Sequence, residues 1–284
     1  MVNLSEGAVT STSHHEAPHA EPGPVAFDTS MPSPARVWNY WIGGKDNYAA
    51  DRAAAEAVMA ANPAQATIAR TARRFLVDVV RQLAGQHGVR QFLDIGSGLP
   101  TADNTHEIAQ RVAPASRVVY VDNDPVVLAH ARALLTSTPE GKTDFILADL
   151  RDPETILTHA ARTLDLSQPV AIVLIGVLHF IDEDADPYAI VAQLMDGVAG
   201  GSYLVIGHAA SDVRSAEVQQ GYRAYNERSP VKITPRSRQQ IDRLVAGLEP
   251  VGPGMVTLGH WFEPGQLGGD GADLVGYCGL VRKP

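Results

Sequence analysis

Two apolar rhythms divide this chain, and they change over near residue 89. Before that point Ile68, Ala72, Phe75, Leu76, Val79, Val80 and Leu83 recur at helical spacing and make one apolar stripe, which predicts an amphipathic helix. An Ala-rich stretch just upstream, running to Ala61, predicts a shorter helix that Asp46 or Asn47 can cap. It follows a segment, Ala35 to Tyr48, in which Trp38, Tyr40 and Trp41 crowd beside a Gly43-Gly44 turn. Beyond residue 89 short apolar runs alternate with amphipathic stretches. Strands are predicted at 91–95, 117–121, 143–147, 170–175, 202–207, 251–257 and 274–281. Helices are predicted at 102–112, 125–135, 153–163, 187–197, 211–227 and 235–247. Such alternation implies right-handed crossovers and a mostly parallel sheet covered on both faces, an α/β fold. A Gly/Pro-rich link from Glu263 to Gly271 carries no helical pattern, so the last two strands are expected to pair antiparallel. Residues 1–32 show no sustained periodicity and are rich in Ser, Thr, His, Pro, Ala and Glu, the composition of a disordered tail.

Composition narrows the function classes. The chain of 284 residues carries 23 Lys and Arg against 32 Asp and Glu, a formal net charge of −9, and has no basic run. A binder of phosphate backbones needs clustered cations, so nucleic acid is not the expected partner and a small molecule is. The single cysteine, Cys278, excludes an intramolecular disulfide and a Cys-rich metal site. His14, His15 and His19 fall in the tail, where nothing fixes ligand geometry, so they are read as solvated. The opening stretch lacks the basic and apolar regions of a signal peptide, and no apolar run is long enough to span a bilayer. The expectation is a cytoplasmic protein without a membrane partner; a homodimer would be unremarkable.

The candidate chemistry gathers at strand ends. In an open α/β sheet, ligands bind beyond the carboxyl ends of the strands, where strand order reverses. The first predicted strand leads through Asp94-Ile95 into Gly96-Ser97-Gly98-Leu99-Pro100-Thr101, where glycines let backbone N–H groups approach a ligand. With Thr101 in place of a third glycine, the dinucleotide fingerprint is incomplete. The second strand ends at Asp122-Asn123, and a carboxylate there can accept both hydroxyls of a ribose. The third leads to Asp149-Leu150, which offers a carboxylate and a backbone amide to an adenine edge. Helix capping is the plain alternative for Asp122 or Asp149 alone; three acids closing three successive strands favour a ligand.

The runs Phe92-Leu-Asp-Ile-Gly-Ser-Gly-Leu-Pro-Thr101, Val118-Val-Tyr-Val-Asp-Asn-Asp-Pro125 and Ala148-Asp-Leu-Arg-Asp-Pro153 together resemble the class I S-adenosylmethionine-dependent methyltransferases. More narrowly, Ala35-Arg36, Tyr40, Gly43-Gly44-Lys45-Asp46-Asn47 and Ala50-Asp51-Arg52 resemble an actinobacterial S-adenosyl methyltransferase group, formerly a domain of unknown function. The likeness covers residues 33 to 284. It implies a Rossmann-like, seven-stranded, mostly parallel sheet with the last strand antiparallel, in one domain made of a helical cap (33–88) and a core (89–284). It implies S-adenosyl-L-methionine as cofactor, with Gly96 and Gly98 under the methionine moiety, Asp122 on the ribose and Asp149 near adenine. Tyr40, Gly44, Asp94, Thr101, Asn123 and Leu150 complete the expected cofactor set.

Methyl transfer is an in-line displacement, so an enzyme chiefly aligns the acceptor and removes water. A hydroxyl acceptor gains from a general base, and His suits that near neutral pH. His179 follows the fourth strand and His208 closes the fifth, so both are candidates for the acceptor site, each set against a hydrogen-bonded structural role. His260-Trp261-Phe262, Tyr222 and Tyr225 could line an acceptor pocket or be ordinary core. Asn104 and His106 could position the cofactor carboxylate or brace a helix start. The acidic run 182–186 is read as capping rather than as a metal site, because Asp186-Pro187 opens a helix. Three rivals share the sheet: an NAD(P) oxidoreductase, a module that binds the cofactor without turning it over, and an enzyme that keeps the cofactor as a structural or electrostatic element while a different reaction occurs in the pocket.

Overall fold

A computed structural model describes residues 28–212, 216–263, 266 and 274–284. The stretch read as a tail lies outside the described residues as far as residue 27, and so does most of the link from Glu263 to Gly271. Three helices come first: α1 (Pro34–Trp41), α2 (Ala49–Ala61) and α3 (Gln65–Gly85). Then follow β1 (Gln91–Ile95), α4 (Thr105–Val112), β2 (Arg117–Asp122), α5 (Pro125–Leu134), β3 (Lys142–Leu147), α6 (Pro153–Ala160) and β4 (Ala171–Ile175). The chain finishes with α7 (Pro187–Asp196), β5 (Tyr203–His208), α8 (Ala216–Arg228), α9 (Arg238–Leu244), β6 (Glu249–Thr257) and β7 (Tyr277–Arg282).

The seven strands form one sheet in the order β3-β2-β1-β4-β5-β7-β6. Pairings among β1 to β5 are parallel, and β7 runs antiparallel to both its neighbours. Strand alternation sorts the core. Leu93, Ile95, Ile172, Leu174, Leu204 and Ile206 pack on one face with α6 and α7. Phe92, Ala171, Val173, Tyr203 and Val205 pack on the other against Phe75, Val79 and Leu83 of α3. Burial on both faces is why these strands read as unbroken apolar runs. Strand order reverses between β1 and β4, so the loops leaving these two strands diverge and open a crevice there.

The cap is held by a buried ion pair. Arg36 Nε donates to Asp51 Oδ2 at 2.8 Å, with the two side chains 5% and 0% exposed. Asp51 also accepts the backbone N–H groups of Ser33 (2.9 Å) and Tyr48 (2.8 Å). The Tyr48 contact means that Asp51, not Asp46 or Asn47, satisfies the start of α2, one residue later than the capping pattern suggested. Arg36 reaches back to the Met31 carbonyl at 2.8 Å, which ties the lead-in to the cap. Helix α4 starts at Thr105 rather than at 102, because Asn104 and Glu107 form a capping box there.

Candidate active site at the switch point

The crevice between β1 and β4 opens into a cavity of about 750 Å³, within the range of small-molecule sites. Its floor is the glycine loop after β1. Gly96 has φ of +73°, and an added Cβ would lie 2.5 Å from Val177 after β4. Gly98 has φ of +67° with open space where a Cβ would sit, so the backbone itself borders the cavity.

Of the expected cofactor residues, Asp94, Gly96, Gly98, Asp122, Asn123, Asp149 and Leu150 all line this cavity. Asp122 accepts the N–H groups of Gly98 at 2.9 Å and Asp124 at 3.0 Å, which joins the ends of β1 and β2. Burial outweighs these bonds and raises its pKa to about 6. Asp149 is more open: it pairs with Arg151 at 3.0 Å and accepts the Asn123 side chain at 3.1 Å. Asp94 turns inward, where Thr105 Oγ1 donates to it at 2.6 Å. Burial raises its pKa above the ordinary aspartate value, against the Thr105 hydrogen bond and the Arg73 charge.

Tyr40, Gly44 and Thr101 stand off the cavity wall. The Tyr40 hydroxyl donates to Glu56 at 3.0 Å on the outer side of the cap. An added Cβ at Gly44 would collide with the Asn39 side chain, which accepts from Asp46 and Asn47 at 3.0 Å, so this glycine serves the turn. Thr101 donates its N–H to Asn104 at 3.1 Å and braces the entry to α4. Trp38 and Trp41, by contrast, do line the cavity.

The two histidines separate clearly. His208 Nδ1 donates to the Ala209 carbonyl at 2.8 Å, and its Nε2 accepts from Arg236 Nη1 at 2.9 Å. Both ring nitrogens are therefore engaged, no lone pair is free for a substrate proton, and burial pulls its pKa down to about 4. The expectation of a base at His208 gives way to its structural alternative. His179 also lines the cavity, but its Nδ1 is buried without a hydrogen-bond partner among the described residues. Burial and the neighbouring Arg236 and His208 keep its ring neutral.

Sequence reasoning missed Arg236 and Arg73. Arg236 is fully buried and donates to Glu183 (2.8 Å), the Leu178 carbonyl (3.0 Å) and the Ile181 carbonyl (2.8 Å), bracing the turn that carries His179. Arg73 lies at the glycine-loop end of the cavity, where its Nη2 holds the Asp103 carbonyl at 2.7 Å. Its Nε is buried with no partner among the described residues. A lone Arg in a polar stretch carries no sequence signal of such burial; for Arg73, its place beside the stripe of α3 was the only hint.

Other expectations resolve simply. Tyr222 and Tyr225 line the cavity. Trp261 packs edge-on against Phe75 with ring centroids 4.7 Å apart, and Arg74 covers Phe262, so these two are core, while His260 is exposed and pairs with the Thr257 hydroxyl. His106 meets the Tyr120 hydroxyl at 2.8 Å and braces α4. Asp182 and Asp186 cap the turns that follow them, accepting from Ala185 and Ala189. Among the described residues no helix is long and apolar enough to cross a membrane.

A seven-stranded sheet with an antiparallel β7, and with a glycine loop and strand-end acids at its switch point, is the Rossmann-like arrangement expected of a class I methyltransferase. A family model described as S-adenosyl methyltransferase matches residues 20–284, and the chain belongs to that family. Its cofactor is accordingly S-adenosylmethionine. Two solved structures are similar at 41% identity. One is a DUF574 family protein from Streptomyces avermitilis, with TM-score 0.87 over 90% of this chain and 99% of that one. The other is a candidate methyltransferase from Thermobifida fusca, with TM-score 0.82 over 90% of this chain and 96% of that one. No curated protein matches this chain in sequence.

Proposed function

We propose that this enzyme methylates a small-molecule acceptor, seated in the part of the cavity that extends from the glycine loop toward α2 and α8. The observation that carries this reading is one continuous cavity. It joins Gly96, Gly98 and Asp122 at one end to His179, Tyr222 and Tyr225 at the other. When bound, S-adenosylmethionine supplies an electrophilic methyl carbon on a sulfonium sulfur.

The chain's residues divide the remaining work. The backbone at Gly96 and Gly98 seats the methionine portion, and Arg73, whose Nε is unpartnered, meets its carboxylate. Asp122 accepts the ribose hydroxyls. Asp149, Asn123 and the Leu150 amide face the adenine. His179, held neutral, accepts a hydrogen bond from the acceptor and aligns it. Its low basicity makes alignment and exclusion of water the main source of rate, rather than strong general-base action.

Because Trp38 and Trp41 line the cavity, their fluorescence reports occupancy. S-adenosylhomocysteine is expected to change it saturably, and NADH is not. A response to NADH alone would move the protein to the oxidoreductases.

A further inference from the structure

The two halves of the cavity differ in charge. The carboxylates on its wall, Asp94, Asp122, Asp124, Asp149 and Asp182, follow β1 to β4 and flank the cofactor half. The half enclosed by α2, α3 and α8 is walled by Val58, Ile68, Phe180, Val218, Tyr222 and Tyr225. The ammonium of Lys232 there is tied to the Asn226 and Ser229 carbonyls. Apart from that exposed ammonium, the polar groups in this half are neutral: the Asn62 and Gln65 carboxamides, Thr234 and the uncharged His179 ring. Asn62 is 7% exposed, and among the described residues its carboxamide has one partner, Gln65 Oε1, at a long 3.4 Å. A buried amide this weakly satisfied retains capacity for a ligand.

We infer that this half takes a neutral aromatic acceptor whose hydrogen-bonding group is held by Asn62 and Gln65. The inference rests on the methyltransferase reading and specifies its acceptor. Aromatic walls favour a ring partner through stacked and edge contacts. A cationic acceptor would face both Lys232 and a sulfonium, and an anionic one would find a single ammonium, exposed and already tied to the Asn226 and Ser229 carbonyls, too little to offset burial of its charge. Helices α2 and α8 meet closely enough to enclose the ligand: a Cβ added at Gly221 would lie 3.3 Å from the Asn62 Cβ.

The test is calorimetry on the full chain saturated with S-adenosylhomocysteine, using 2-naphthol, 2-naphthoate and 2-naphthylmethylammonium as probes. Naphthol is expected to bind, and both charged analogues to bind about tenfold or more weakly. Asn62→Asp places a carboxylate in this half. It is expected to retain S-adenosylhomocysteine affinity and to reverse the order in favour of the ammonium probe. Equal or tighter binding of either charged probe by the unaltered chain, or no binding of naphthol, would overturn the inference. Failure to bind S-adenosylhomocysteine would instead overturn the cofactor reading beneath it.

Discussion

At the scale of single residues, protonation distinguishes the groups that meet a ligand from those that hold the frame. Asp122 carries a pKa raised to about 6, and in the proposed complex donation by ribose hydroxyls would favour its anion. Ligand binding therefore lowers that pKa and releases a proton near pH 6. S-adenosylhomocysteine affinity is expected to fall about tenfold between pH 7.5 and pH 5, and Asp122→Asn to flatten that slope. Titrations in buffers of different ionisation enthalpy check the proton release. His208 behaves oppositely: its folded pKa of about 4 lies below the ordinary 6.5. The unfolded chain therefore takes up the proton first, and stability is lost as pH falls from 6.5 toward 4. Nitrogen-15 spectra of histidine should show His208 as the neutral Nδ1–H tautomer at pH 6, and Arg236→Met, which leaves the burial in place, should raise its pKa only in part. Asp122 was legible in the sequence because it ends an apolar run. The engagement of His208 was not, since its partner Arg236 lies 28 residues away in a polar stretch.

At the scale of elements, the cap depends on one buried charge pair. Removing one partner leaves the other charge uncompensated, so Arg36→Met is expected to destabilise the protein by about 3–5 kcal/mol in denaturant unfolding. Adding Asp51→Asn should recover part of the loss, because both charges are then gone while an oxygen remains for the Ser33 and Tyr48 N–H groups. The family-like motif before residue 53 was legible as a motif, but what its residues do was not. Arg36 and Asp51 form the pair, Gly44 makes room for Asn39, and Asn47 accepts from Arg52. Motif spacing identifies a family; it does not separate residues that build a cap from residues that touch a ligand, and Tyr40 and Gly44 fell on the building side. Strands and crossover helices were legible because burial on one or both faces writes a period into the sequence. Helix starts shifted where capping chemistry decided them, as at Asn104 and Tyr48.

At the scale of the whole molecule, strand order places every strand-end group of the site on one edge of the sheet, and α1 and α2 contribute Trp38, Trp41 and Val58 to the same cavity. A ligand that binds only this assembled form stabilises it by mass action, by about 2.7 kcal/mol at a hundredfold excess over Kd. The melting temperature is expected to rise several degrees with S-adenosylhomocysteine and to stay unchanged with NADH. The alternation of strands and helices was enough to place the glycine loop and three acids at one edge. The apolar and aromatic half of the cavity was not legible, because α2, α3 and α8 come together only in the fold. The central claim is that this cavity is a cofactor site organised by Asp122. Calorimetric titration with S-adenosylhomocysteine, on the full chain and on Asp122→Ala, tests it most directly. Micromolar one-to-one binding that the variant loses, with its folded signal intact, is the expected result. No binding by the folded, ligand-free parent, or equal binding by the variant, would contradict it.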